Sequence, residues 1–195
     1  MGNKTKKMMN SIINKQRASI IGVLILVAYS MLTYSITKNT TLGFITDLLS
    51  GLAVIGIPLL LFSVFKASEN KKLNYAYLVC RVIEGVLMII GGIIILSPSL
   101  ENYREMIYSD IQIYFFIFGA LCFYILLYRT LIIPKFISVW GIIATLVLLI
   151  VTIIKLFGIE SEILNALIIP IVLNELFLAI WLLIKGFNIE IIDEK

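Results

Sequence analysis

Residues 136–157 read FISVWGIIATLVLLIVTIIKLF, a run that carries one charge, Lys155. A hydrocarbon core of roughly 30 Å takes about 20 helical residues to cross, so this stretch is long enough to span a bilayer. Working outward, five more runs of the same kind lie at 17–37, 43–65, 76–97, 110–128 and 163–185. Short polar connections separate them, so consecutive helices should pack as antiparallel neighbours. The expectation is an all-α, polytopic transmembrane bundle of six helices over 17–187. A basic segment, 1–16, precedes it and a short tail, 188–195, follows.

Composition agrees. Of 195 residues, 61% are hydrophobic and the mean hydropathy is +1.05, whereas soluble domains use roughly 45–50% apolar residues. The net charge of +4 does not point to nucleic acid. Most basic residues sit at span ends, where they orient helices and meet anionic head groups. The chain has no histidine, which removes imidazole metal sites, bis-imidazole haem ligation and histidine general-base chemistry. Cys80 and Cys122 fall inside spans without C-x-x-C spacing and read as small buried hydrophobes. No cofactor and no metal are expected. The first run is too long for a signal h-region and no small-residue cleavage site follows it, so it reads as an uncleaved helix.

Assigning the connections to alternate sides gives the orientation. One side holds Lys4, Lys6, Lys7, Lys15, Arg17, Lys66, Lys71, Lys72, Arg129, Lys135, Lys185 and Lys195. The other holds only Lys38, Arg104 and Lys155. Twelve against three predicts that both termini are cytoplasmic, N-in and C-in, in a cell membrane.

Helical spacing marks the faces that avoid lipid. The first span carries Ser19, Gly22, Ser30, Thr33 and Thr37 on one stripe, and the second carries Asp47, Gly51, Val54 and Pro58. The third carries Arg81, Glu84, Gly85, Met88 and Gly92, and the fourth Gln112, Phe116, Gly119 and Cys122 or Phe123. Small and polar residues on one face let membrane helices approach and hydrogen-bond. The fifth span, read through Val139, Ile143, Val147, Ile150 and Ile154, shows no such stripe and is expected at the lipid-facing periphery.

Charges inside the spans need a separate reading. At 1.5 Å per residue, Arg81 and Glu84 lie about 8 and 12 Å from the inner end of the third span. Glu175, with Asn174 beside it, lies about 15 Å into the sixth. Asp47 is within two turns of the outer end of the second. Each ionised side chain at a helix centre costs roughly 2.5–3.5 kcal/mol on insertion scales, so these residues must pair or take up protons. A guanidinium offers five donors, enough for two carboxylates. The expected arrangement is an Arg81 node shared by Glu84 and Glu175, with Asn174 and Asp47 as further candidate polar or ligand residues.

Several motifs then resemble one family. Gly119–Ala120–Leu121 through Tyr128–Arg129, Ile133–Pro134–Lys135 and Ser138–Val139–Trp140–Gly141 resemble the fourth-to-fifth helix segment of prokaryotic membrane proteins catalogued as domain of unknown function 4386. Pro170, Asn174–Glu175, Leu178–Ala179, Trp181–Leu182–Leu183 and Lys185–Gly186–Phe187 resemble its closing helix, and Arg81, Glu84 and Gly85 its Arg-x-x-Glu pattern. The similarity runs from about residue 17 to 187. It implies a compact bundle of about six helices in a prokaryotic cytoplasmic membrane, and no activity.

Function classes narrow accordingly. No G-x-x-x-x-G-K-[ST], G-x-G-x-x-G, H-E-x-x-H or G-x-S-x-G occurs, so nucleotide, zinc and elbow-serine mechanisms lack their parts. An intramembrane enzyme built on Glu84 and Glu175 would lack a general acid if Arg81 held both ionised. Two readings remain. One is a non-catalytic bundle, a partner subunit or small-ligand sensor, with lipid, a membrane protein or a second copy as partner. The other is a small proton- or ion-coupled transporter using Glu84 and Glu175. A sealed charge node favours the first; a cavity reaching Arg81 and Glu175 from one face favours transport.

Overall fold

The computed structural model describes residues 2–66 and 68–188. The tail expected at 188–195 therefore lies, beyond Asn188, outside the described residues. Every regular element among the described residues is helical. Helix α1 (Gly2–Ala28) passes through a 3-10 turn, Tyr29–Leu32, into α2 (Thr33–Thr37), and α3 is Thr40–Leu61. Helix α4 is Lys71–Ile94, and α5 (Glu101–Met106) runs through a π-helical stretch, Ile107–Gln112, into α6 (Ile113–Thr130). Helix α7 is Lys135–Leu156, α8 is Glu162–Ala166 and α9 is Ile169–Ile184.

Among the described residues, six segments are long and apolar enough to cross a membrane: Ile13–Thr37, Thr40–Leu61, Lys71–Ile94, Asn102–Thr130, Lys135–Leu156 and Glu162–Ile184. Outward faces carry residues such as Ile36, Leu59, Ile143 and Ile150 at more than half exposure. Apolar exposure on that scale is the face a bilayer covers.

Local chemistry sets the ends. Lys38 adopts a left-handed conformation that closes α2, and the Asn39 side chain accepts a hydrogen bond from the Leu42 amide to cap α3. Ser161 caps α8 in the same way. Leu131, also left-handed, ends α6, and Pro134 starts α7. Pro170 at the first turn of α9 suits a position whose amide needs no partner.

Each span packs against the one before and the one after, and the sixth returns to the first, so the six close a ring around a shared interior. The fourth span differs from the 110–128 expected, beginning at Asn102 and taking in Arg104. A basic residue normally marks a span end, but Arg104 is neutralised by Asp47 and so is drawn into the fold. The fifth span is also corrected. It presents Ser138, Gly141, Ala144, Thr145, Leu148 and Thr152 to the interior, and Val139, Ile143 and Ile150 face outward. Thr145 and Thr152 return their hydroxyls to Gly141 and Leu148 carbonyls, so they bring no unpaired polar group into the ring.

The second and third spans cross at Gly51 and Gly85. A Cβ on either glycine would sit 2.6 Å from the other's carbonyl oxygen. Gly51→Ala and Gly85→Ala should each cost about 1–3 kcal/mol through overpacking against backbone. Thermal unfolding in detergent measures this. Gly56→Ala, which meets only the Leu24 side chain at 3.2 Å, should melt close to wild type.

Candidate functional site

Arg81 and Glu84 face the ring interior because they are three residues apart on the buried face of α4, with Gly85 and Met88. Helix α4 starts at Lys71, which puts Arg81 about 15 Å from that end, near mid-span. Glu175 comes from α9 on the opposite side of the ring. The guanidinium joins them: Arg81 Nη1 donates to Glu84 Oε2 at 2.9 Å, and Nη2 lies 3.7 Å from Glu175 Oε1.

Other groups complete the cluster. Gln112, the last residue of the π-helical stretch, donates to Glu84 Oε1 at 3.4 Å. The Tyr29 hydroxyl, from the 3-10 turn in the first span, donates to Glu175 Oε2 at 2.8 Å. The Phe116 ring lies beneath Arg81, 5.1 Å from its guanidinium carbon. Gly119 leaves room for the arginine stem, since a Cβ there would meet Arg81 Nε at 3.2 Å. Tightened 3-10 and widened π turns inside helices often accompany functional sites, and here both deliver a polar side chain to one node.

The remaining candidates lie apart. Asn174 turns to α7, where Nδ2 donates to the Ile137 carbonyl at 3.0 Å. Asp47 forms a second buried ion pair, with Arg104 Nη2 and Nε on Oδ2 at 2.8 and 3.1 Å. That guanidinium is held between the Tyr34 and Tyr108 rings, 5.0 and 4.4 Å from their centroids. Reading by sequence missed Tyr29 and Arg104. Tyr29 gave a usable signal, as a tyrosine well inside a span rather than at its interface. Arg104 gave none, because it resembles an ordinary boundary residue.

Above the node the ring is not filled. A cavity of about 240 Å³ reaches Arg81, Glu84 and Glu175. Its walls are apolar, with Ile25, Val54, Ile57, Leu148, Ile171 and Leu178 among them. Phe65, Tyr77, Phe123 and Tyr124, all under 5% exposed, pack ring against ring beside it, and Tyr77 and Phe123 line the cavity itself. Tyr77 stacks on Phe123 at 5.2 Å, and Phe65 meets Tyr77 edge-on. Met31, Leu32, Ile113 and Ile168 line the cavity as well.

With that geometry in place, the comparisons with known proteins fall into line. A family model described as domain of unknown function (DUF4386) matches residues 33–186. The chain belongs to the DUF4386 family. No curated protein and no solved structure matches it. The match begins at residue 33 rather than near 17, so most of the first span lies before it. In this DUF4386 chain Asp47, Arg81, Glu84, Arg104, Asn174 and Glu175 fall within the matched stretch, and Tyr29 precedes it.

Proposed function

We propose that the protein is a non-catalytic membrane bundle that receives one small, mostly apolar ligand in its central cavity, as a sensor or partner subunit does. The observation that carries this reading is the cavity that ends on a charged floor. A structural clamp would be sealed, because charges inside a membrane are least costly when packed on every side. Here Arg81, Glu84 and Glu175 line a space equal to about eight waters at about 30 Å³ each. A concave, mainly apolar space with a few converging polar groups is the usual form of a small-molecule site. We place the termini in the cytoplasm of a prokaryotic cell membrane on the twelve-against-three basic asymmetry.

Transport by a small proton- or ion-coupled carrier is the second reading: a cavity reaching Arg81 and Glu175, rather than a sealed node, is the feature expected of it, and irregular backbone supports it as well. The 3-10 turn at Tyr29–Leu32, the π-helical stretch at Ile107–Gln112 and the break at Leu167–Ile168 each contribute a residue to the cavity lining. Irregular backbone at membrane depth belongs where it lines a cavity, and transporters place broken helices at their sites. Glu84–x–x–Leu87–x–Ile89 and Glu175–x–x–Leu178–x–Ile180 echo each other weakly, as inverted halves would.

Ligand screening by thermal shift tests the proposal. Small amphipathic molecules should stabilise the detergent-solubilised protein by about 2.7 kcal/mol at a hundredfold excess over Kd, read as a higher melting temperature. Val172→Phe, which fills the cavity from a partly buried wall position, should abolish the shift while melting no lower than wild type. A broad screen that shifts neither protein would refute the ligand-site reading.

A further inference from the structure

We infer that the ligand is a small amphipathic monocation, an apolar body bearing one ammonium group, seated against Glu175. This deepens the ligand-site reading and depends on it.

The charge count comes first. With acids and base ionised, the floor holds two carboxylates and one guanidinium. Among the described residues lining the cavity, no other Asp, Glu, Lys or Arg offsets them. The surplus is not shared evenly. Arg81 Nη1 is committed to Glu84, whose other oxygen takes Gln112. Glu175 Oε1 lies 3.7 Å from Nη2, beyond hydrogen-bond reach, and among the described residues its second oxygen accepts from the Tyr29 hydroxyl alone. Its side chain also keeps the largest exposure of the three, 12% against 9% for Arg81 and 2% for Glu84. Of the two carboxylates Glu175 is the more loosely held and faces the space, so an entering ammonium group would pair with its ionised form.

The walls select among cations. Tyr29, Tyr77, Phe116 and Phe123 line the cavity beside the floor, and aromatic faces attract ammonium groups most when the site is dry. A hard inorganic cation needs six or more oxygen ligands, which apolar walls do not supply. An anion would meet a net negative floor whose arginine is already shared. An ammonium on an apolar body satisfies both the charge and the walls.

The test uses three ligands of one shape on the full chain in detergent: benzyltrimethylammonium, neutral neopentylbenzene and anionic benzylsulfonate. Binding is read as dissociation constants by calorimetric titration. The cation should bind at least about tenfold tighter than the neutral isostere, as a desolvated cation–aromatic site requires, and the anion should bind weakest. Glu175→Gln should reduce that preference to near unity; if this variant does not fold, the wild-type ranking alone decides. A neutral or anionic ligand binding as tightly as the cation overturns the inference and leaves the cavity reading standing. Failure of all three, while other molecules in the screen bind at the Val172 site, overturns the inference alone. Failure of the whole screen overturns both.

Discussion

Arg81→Gln should lower the stability of the bundle by about 3–5 kcal/mol, the cost of removing one partner from a buried ionic network. The substitution leaves Glu84 and Glu175 facing each other across the ring without their shared guanidinium. It also removes the charge stacked on Phe116 and opens a gap beside Gly119. The triple variant Arg81→Gln, Glu84→Gln, Glu175→Gln should recover most of that loss, because its three amides carry no charge and can hydrogen-bond to one another. Denaturant or thermal unfolding of the solubilised protein measures both. An Arg81→Gln variant as stable as wild type would mean that the node contributes nothing to the fold. A destabilised single variant that the triple does not rescue would assign the effect to lost packing rather than to stranded charge.

A second large effect is expected at the pair that holds the second span to the start of the fourth. Arg104→Gln leaves Asp47 fully buried without its cation, and Asp47 Oδ1 already has no hydrogen-bond partner among the described residues. Removing one member of such a pair costs about 3–5 kcal/mol, and the aromatic sandwich adds roughly 1–2 kcal/mol that glutamine cannot match. Arg104→Lys should recover only part of this, since a lysine makes no forked contact with Oδ2 and stacks less well between Tyr34 and Tyr108. Unfolding curves for Arg104→Gln, Asp47→Asn and the double variant give the coupling directly. Independent, additive effects would rule out the pair. Because Asp47 and Arg104 do not line the cavity, ligand binding by Arg104→Lys should remain near wild type wherever the variant folds.

These two ion pairs show how unevenly the sequence spoke. Arg81 and Glu84 were legible because they interrupt an apolar run at helical spacing, and no lipid-facing position tolerates such charges. Glu175 was legible by depth alone. Arg104 was not, since a charge near a span end is ordinary and only its partner makes it unusual. The fifth span was misread although its sequence carried the signal: Ser138, Gly141, Thr145, Leu148 and Thr152 recur at helical spacing like the small-residue stripes of the other spans, and only the opposite Val and Ile face was weighed.

By itself, the sequence determined the solvent and the secondary structure. Six runs of sufficient length must cross a bilayer as helices, because lipid offers no hydrogen-bond partner to an open backbone. It also determined that charges on the interior faces of the third and sixth spans need partners. The Arg81 node with Glu84 and Glu175 was expected from depth and spacing, but the tertiary structure alone decided the other partners, because contacts such as Tyr29–Glu175 and Asp47–Arg104 join residues 146 and 57 positions apart. It alone decided the cavity as well. A space inside a ring belongs to no single helix, and depends on how six faces fail to fill the volume between them.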